Sequence, residues 1–299
     1  MALLARPRPS VSLRRPASAR FVIPCSGTRL VYLGRPLIMG VLNVTPDSFS
    51  DGGRFLDPEG AIRHGLQLAH EGADLIDIGG ESTRPGSRGV STQEELRRVI
   101  PVVQHLASTL RIPLSIDTSK AEVAARALEA GAGIVNDVTA LRGEAEMASV
   151  IARHTAAVIL MHMRGSPHTM QRDPRYADVV ADVAAFLRDA ASRAEAAGID
   201  PSRILVDPGL GFGKTVRHNL ILLQQLDRIA SLGYPVVIGP SRKSFIGRTL
   251  DVDVEERLIG TLACVAHAQR CGAHLVRVHD VRAAVQLTRM LEAIEHAES

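Results

Sequence analysis

L-I-M-G-V-L-N-V-T-P-D-S-F-S-D-G-G-R, residues 37–54, holds the pattern on which the rest of the chain is built. Leu37 to Leu42 run unbroken into Asn43, after which Pro46 and Gly52-Gly53 stop regular structure and leave an isolated Phe49 in a polar loop. A short apolar run closed by turn residues reads as a buried strand. The same design recurs downstream, each apolar run ending in one or two polar residues.

Strands are predicted over 37–43, 73–79, 113–117, 133–137, 157–163, 204–207, 235–239 and 274–278. Amphipathic stretches rich in Ala, Leu, Arg and Glu separate them, at 58–71, 92–110, 119–131, 145–154, 176–197, 217–231, 254–271 and 281–296. Ser91-Thr92 followed by Glu94-Glu95 is a helix start signal, and Asp200-Pro201 or Gly198 marks a helix exit. Gly72, Gly131, Gly198, Gly233 and Gly272 each follow a helix closely, where a left-handed C-terminal cap is expected. Eight strand–helix units point to an α/β fold, a single (β/α)8 barrel. A doubly wound sheet would want a glycine fingerprint after the first strand, which here reads N-V-T.

Composition narrows the function classes. The chain has 299 residues, 45% of them hydrophobic, and a formal net charge of +3. Residues 1–35 hold seven Arg and no acid, so the remainder carries 28 Lys and Arg against 32 Asp and Glu. That remainder is mildly acidic and has no basic stripe interleaved with aromatics, which argues against nucleic acid. No stretch approaches the roughly 20 apolar residues of a membrane span. Cys25, Cys264 and Cys271 show no metal-ligand spacing and fit a reducing, cytoplasmic setting without disulfides. Residues 1–20, rich in Arg, Pro and Ser, read as a disordered or mis-assigned extension or a transit-type segment. Residues 21–35 read as a short hairpin leading into a domain that spans 21–299.

In a barrel of this kind the site lies where strands end. The tips, in order, are Asn43, Asp77, Asp117, Asn136-Asp137, His162, Asp207, Arg242-Lys243, and Arg277 with His279. Cations at the seventh and eighth tips suit a phosphorylated substrate. Asp117, Asn136 and Asp207 suit the N–H edge of a heterocycle, because an unpaired polar edge in an enclosed pocket is costly. Asn43 or Asp51 could meet Mg²⁺, which takes many of its ligands from phosphate and water. The chain has 32 Arg but only Lys120, Lys214 and Lys243, so each lysine marks a place where a compact charge is wanted. Two decoys fall away. G-L-G-F-G-K-T at 209–215 lacks the first glycine of a P-loop, and M-H-M at 161–163 offers a single imidazole, read as structural.

The quoted motifs resemble those of the bacterial dihydropteroate synthases. The matching stretches are M-G-V-L-N-V-T-P-D-S-F-S-D-G-G (39–53), D-I-G-G-E-S-T-R-P-G (77–86), S-I-D-T-S-K (115–120) and N-D-V (136–138). L-M-H-M-R-G (160–165), D-P-G-L-G-F-G-K (207–214), S-R-K-S-F-I-G (241–247) and R-V-H-D-V (277–281) continue the series. The resemblance covers about residues 21–299. It implies a transferase, of a kind targeted by sulfonamides, joining 4-aminobenzoate to 6-hydroxymethyl-7,8-dihydropterin diphosphate, with Mg²⁺ and a homodimeric state. It also implies pterin contacts from Asp117, Asn136, Asp207 and Lys243, with Met163 or Met161 nearby. Diphosphate would fall to Asn43, Arg277 and His279, with Mg²⁺ near Asn43 and Asp51. Phe49, Thr83, Arg84 and Pro85, with Lys243 and Ser244, would surround the aminobenzoate. On this reading the catalytic groups are Lys243, Arg277, His279 and Asp117. Ser87-Arg88-Gly89 and Arg164 depart from the family pattern. The alternatives are a non-catalytic pterin-binding paralogue and a methyltetrahydrofolate:corrinoid methyltransferase, which shares the pterin barrel.

Overall fold

The computed structural model describes residues 20–45, 58–82, 89–166 and 169–297. Phe49, Asp51, Thr83, Arg84 and Pro85 lie outside them, as do residues 1–19. A hairpin comes first, β1 (Phe21–Cys25) pairing antiparallel with β2 (Thr28–Tyr32). Then follow β3 (Leu37–Asn43), β4 (Leu75–Gly79), β5 (Leu114–Asp117), β6 (Ile134–Asp137), β7 (Ala157–Met161), β8 (Ile204–Asp207), β9 (Val237–Ile238) and β10 (Leu275–Val278). These pair in parallel in the order β8-β7-β6-β5-β4-β3-β10-β9. A parallel bridge between Val206 and Val236 joins the two ends of that order, and Val206 N donates to Pro235 O at 3.0 Å. The predicted barrel is therefore present and all but closed.

The helices named below are α1 (Pro58–His70), α2 (Thr92–Thr109), α3 (Ala121–Glu129), α4 (Met147–Arg153), α5 (Val179–Ala196) and α6 (Val216–Gln224). They continue with α7 (Leu226–Ala230), α8 (Ser244–Leu250), α9 (Leu258–Arg270) and α10 (Val281–Glu295). Ser91 caps α2, its hydroxyl accepting from Glu94 N at 3.2 Å, as its sequence predicts. The five exit glycines all take positive φ, from 89° at Gly233 to 112° at Gly131.

Three expectations shift. The 217–231 helix divides at Gln225 (φ −115°, ψ 33°), and the 235–239 strand shrinks to two ladder residues. Between the predicted 235–239 strand and 254–271 helix lies a helix that was not expected, α8, opening at Ser244.

Strands covered by helices outside and side chains inside are apolar on both faces, which is why β3 is buried from Leu37 to Leu42. Outward residues such as Ile38, Leu42, Ile76 and Ile116 join the helix layer. Inward Met39, Leu75, Ile134, Ile159, Leu205 and Leu275 fill the lower barrel together with Ile23, Cys25 and Leu30 of the hairpin. The hairpin thus plugs the N-terminal end, and polar side chains are left for the other. Close helix packing explains Gly65, where a Cβ would stand 2.7 Å from Leu106 Cδ1. Among the described residues no helix is long and apolar enough to cross a membrane.

Candidate active site

Register brings the tips together. Asn43 pairs with Gly79, Gly79 with Asp117, and Asp117 with Asn136, so four neighbouring strands end at one level. Gly79 sits between the two, and a Cβ there would make ordinary contacts, 3.5 Å from Asp117 Cβ and 3.9 Å from Asn43 Oδ1.

Asp77 is the buried hub of this end. It is 0% exposed, and its Oδ2 accepts from Arg277 Nε at 2.6 Å and from Asn136 Nδ2 at 3.0 Å. Arg277 extends Nη2 to Asp117 Oδ2 at 2.8 Å, so one guanidinium spans two carboxylates. Burial pushes the Asp117 carboxyl up, and the Asp77 charge adds to the rise while Arg277 opposes it. Among the described residues, Asp77 Oδ1, Asp117 Oδ1 and Ser115 Oγ have no hydrogen-bond partner. Buried polar atoms of that kind call for a ligand or water.

Lys243 enters from the seventh tip. Arg242 before it takes a left-handed backbone (φ 54°), which turns the two neighbours apart. Arg242 faces Asp280, with Nε to Oδ2 at 3.0 Å, and stays outside the site. Lys243 Nζ donates to Leu210 O and sits 4.6 Å from the Phe212 ring centroid. It also lies 3.8 Å from where a Gly239 Cβ would be, beside Arg277. Burial pushes its ammonium down to about 8, with Asp207 acting the other way. Asp207 is held by Gly209 N, which donates to its Oδ1 at 2.6 Å, and burial raises its carboxyl. His279 pairs through Nδ1 with Ser241 Oγ at 2.9 Å.

Met163, with Val138, Met161 and Met170, forms an apolar cluster against which Phe212 packs. Asp77 stands among the predicted strand tips, whereas Phe212 is not among the candidate site residues. A lone aromatic set between glycines was the available signal for Phe212. Asp137 leaves the candidate tips, because it accepts from Thr139 N and Oγ1 and Leu141 N at 2.7–2.8 Å and braces its own loop. Ser244 opens α8 directly after Lys243.

His162 is structural, as the sequence reading has it. Its Nδ1 lies 2.9 Å from Lys214 Nζ, and the Phe186 ring meets it edge-on at 4.8 Å. Burial pushes the ring down to about 2, with Lys214 adding to it. The unfolded imidazole gains a proton below about 6.5 while the folded one stays neutral, so the unfolded state binds more protons and stability falls on acidification. About 2 kcal/mol is expected to be lost from this group between pH 6.5 and 5. Urea midpoints at the two pH values should show it, and His162→Gln should show less; equal losses in both proteins would refute it.

Among the described residues no group of three His, Cys, Asp or Glu side chains is placed to hold a metal ion. Asn43 offers an amide oxygen next to Asp117, both hard donors.

Known proteins share this fold and much of its sequence. The family described as pterin binding enzyme matches residues 39–279. The dihydropteroate synthase of Synechocystis is 46% identical over 91% of this chain and 94% of its own length. That of Mycobacterium leprae is 47% identical over 87% of this chain and 94% of its own. The Xanthomonas albilineans dihydropteroate synthase solved with 4-aminobenzoic acid superposes with a TM-score of 0.88 at 47% identity, covering 94% of this chain and 100% of that one. The Yersinia pestis enzyme solved with a sulfonamide gives 0.87 at 44%, covering 93% and 100%. A match of this length, on a barrel whose polar tips converge at one end, decides the matter: the chain belongs to the pterin-binding enzyme family, among its dihydropteroate synthases.

Proposed function

We propose that the site joins 4-aminobenzoate to 6-hydroxymethyl-7,8-dihydropterin diphosphate, releasing pyrophosphate and 7,8-dihydropteroate. The observation that carries this is the mouth of the barrel, where Asp117, Asn136 and Asp207 gather beside Lys243 and Arg277. The relatives add support, having been solved with 4-aminobenzoic acid, 7,8-dihydropteroate and a sulfonamide.

Asp117 and Asp207 take the N–H edge of the pterin, while Asn136, fixed by Asp77, offers its amide oxygen. Met163 and Phe212 line an apolar side of the pocket. Arg277 and His279 bind the diphosphate, and Lys243 adds positive charge beside the bond that breaks. Such preset donors help most where charge develops in the transition state. No activated nucleophile is needed, because an arylamine is nucleophilic itself. Phe49, Thr83, Arg84, Pro85 and Ser244 are assigned to the aminobenzoate. The hard donors at Asn43 fit Mg²⁺, with Asp51 as a second ligand; when bound, the ion neutralises diphosphate charge.

Pyrophosphate release tests the reading. With pterin diphosphate and Mg²⁺ it should depend on 4-aminobenzoate and yield dihydropteroate, and a sulfonamide should compete with the aminobenzoate. Tight pterin binding without release would favour a non-catalytic paralogue.

The same reading takes residues 21–299 as one domain, working as a homodimer in a reducing, cytoplasmic compartment. Free Cys25, Cys264 and Cys271 fit such a compartment. Exposed Leu220, Leu250, Val254 and Ile259 on and beside α6, α8 and α9 fit a partner surface, and Ile259 is 73% exposed. Ile259→Glu is expected to halve the mass seen by sedimentation without altering the barrel; an unchanged mass would sink this interface.

A further inference from the structure

The G-L-G-F-G-K stretch at 209–214 fails as a phosphate loop, yet it is a heavily tied turn beside the site. Each of its five carbonyls before the lysine accepts from a side chain. Gly209 O and Phe212 O take Lys214 Nζ at 2.9 and 3.0 Å. Leu210 O takes Lys243 Nζ, Gly211 O takes Gln171 Nε2 at 2.6 Å, and Gly213 O takes Tyr176 Oη at 2.8 Å. Two amides are held as well, Gly209 N by Asp207 Oδ1 at 2.6 Å and Gly211 N by Asn219 Oδ1 at 2.7 Å.

Lys214 is the centre of this turn. It is 3% exposed, and beyond the two carbonyls it reaches His162 Nδ1 at 2.9 Å and His162 O at 3.3 Å. Its partners are carbonyls and an imidazole rather than carboxylates. A compact ammonium with three rotatable donors can serve such a set, where a planar guanidinium would not fit. Burying a charge is costly, and burial pushes this amine well below its ordinary range, with nearby Asp207 opposing the shift and Lys243 adding to it.

What the turn presents is the bed of Lys243. Leu210 supplies its acceptor and Phe212 the ring beneath it. Gly211 leaves room for its stem, since a Cβ there would stand 3.0 Å from Lys243 Cδ. We propose that Lys214 is a positioning residue that locks the 209–213 turn in the shape in which Leu210 and Phe212 hold Lys243 for the pterin substrate. The inference rests on the role given to Lys243 above.

The test compares Lys214→Met with Lys243→Ala by steady-state kinetics on both substrates. In Lys214→Met the KM for the pterin diphosphate should rise about 10-fold, with the KM for 4-aminobenzoate moving less than about 2-fold, as expected when one ligand-positioning group is displaced. The basic limb of kcat/KM should move up from near pH 8, because a released Lys243 is rehydrated. Equal changes in both KM values, or a lower melting temperature with both KM values and the pH limb unchanged, would overturn the proposal. Should Lys214→Met not fold, Tyr176→Phe with Gln171→Ala frees Gly213 and Gly211 from outside. That variant should show the same split at roughly 3-fold, and no split there would overturn the proposal too. Lys243→Ala separates the two failures. If it leaves turnover intact, the site reading is wrong and the inference falls with it. If it cripples turnover while Lys214→Met behaves as wild type, only the inference is wrong.

Discussion

Lys243→Ala is expected to lower kcat/KM for the pterin diphosphate by on the order of 10²–10³, the loss seen when one preset donor to developing charge is removed. The side chain makes no ladder bond. Its ammonium touches a loop carbonyl and an aromatic face, so deletion removes charge without opening the core. The melting temperature should therefore hold, and circular dichroism of the barrel should be unchanged. A pH experiment on the wild type checks the same group from another side. Burial lowers Lys243 to about 8, so raising the pH through that value removes its proton. The required form is the protonated one, and kcat/KM is expected to fall above about pH 8 with a slope of one proton. A variant with near-normal kcat/KM, or a wild-type profile flat to pH 9.5, would remove Lys243 from the proposed mechanism.

Asp77→Ala is expected to be the most damaging change at the site to the fold itself. One carboxylate oxygen holds both Arg277 and Asn136, and the residue is fully buried. Its loss leaves Arg277 with Asp117 alone and Asn136 without its acceptor. Removing one member of a buried pair costs about 3–5 kcal/mol, because the remaining charge stays desolvated. Activity should fall with stability, since both ligands of Asp77 face substrate in the proposed mechanism. Asp77→Asn keeps an acceptor oxygen and should recover part of the stability while remaining slow. Urea unfolding of the three proteins gives the comparison. A loss below about 1 kcal/mol in Asp77→Ala would mean that Arg277 and Asn136 are held by something else.

Much of this was legible in the sequence, for identifiable physical reasons. Helix periodicity, Ser91 and the five exit glycines are local signals, and local signals survive without coordinates. The alternation of apolar runs with amphipathic stretches sets a parallel barrel, and the barrel sets one end as the polar end. Direction and depth were not legible. Arg242 and Lys243 are neighbours with similar charge, and a left-handed backbone at Arg242 sends one to Asp280 and the other to Leu210. Asp77 looks like any strand-end acid until register places it beside Asn136 and Arg277, 200 residues away in the second case. Phe212 gains meaning only once the turn brings it under Lys243. Asp137 had the composition of a site residue, yet the loop that follows it takes both oxygens.

The hairpin that fills the lower barrel has a consequence for handling the protein. Strands run from that pole to the mouth, and helices return, so α10 also ends there. Arg35 just after the hairpin lies 3.9 Å from Glu292 near the end of α10. Both ends of the fold thus meet at one pole, roughly 20 Å from the mouth along strands of up to seven residues. A tag, surface tether or fused partner joined directly to the hairpin at Arg20 or to the end of α10 hangs from the base and leaves the doorway clear. Neighbouring ends also allow circular permutation, with the old ends joined and a new break made elsewhere in the ring.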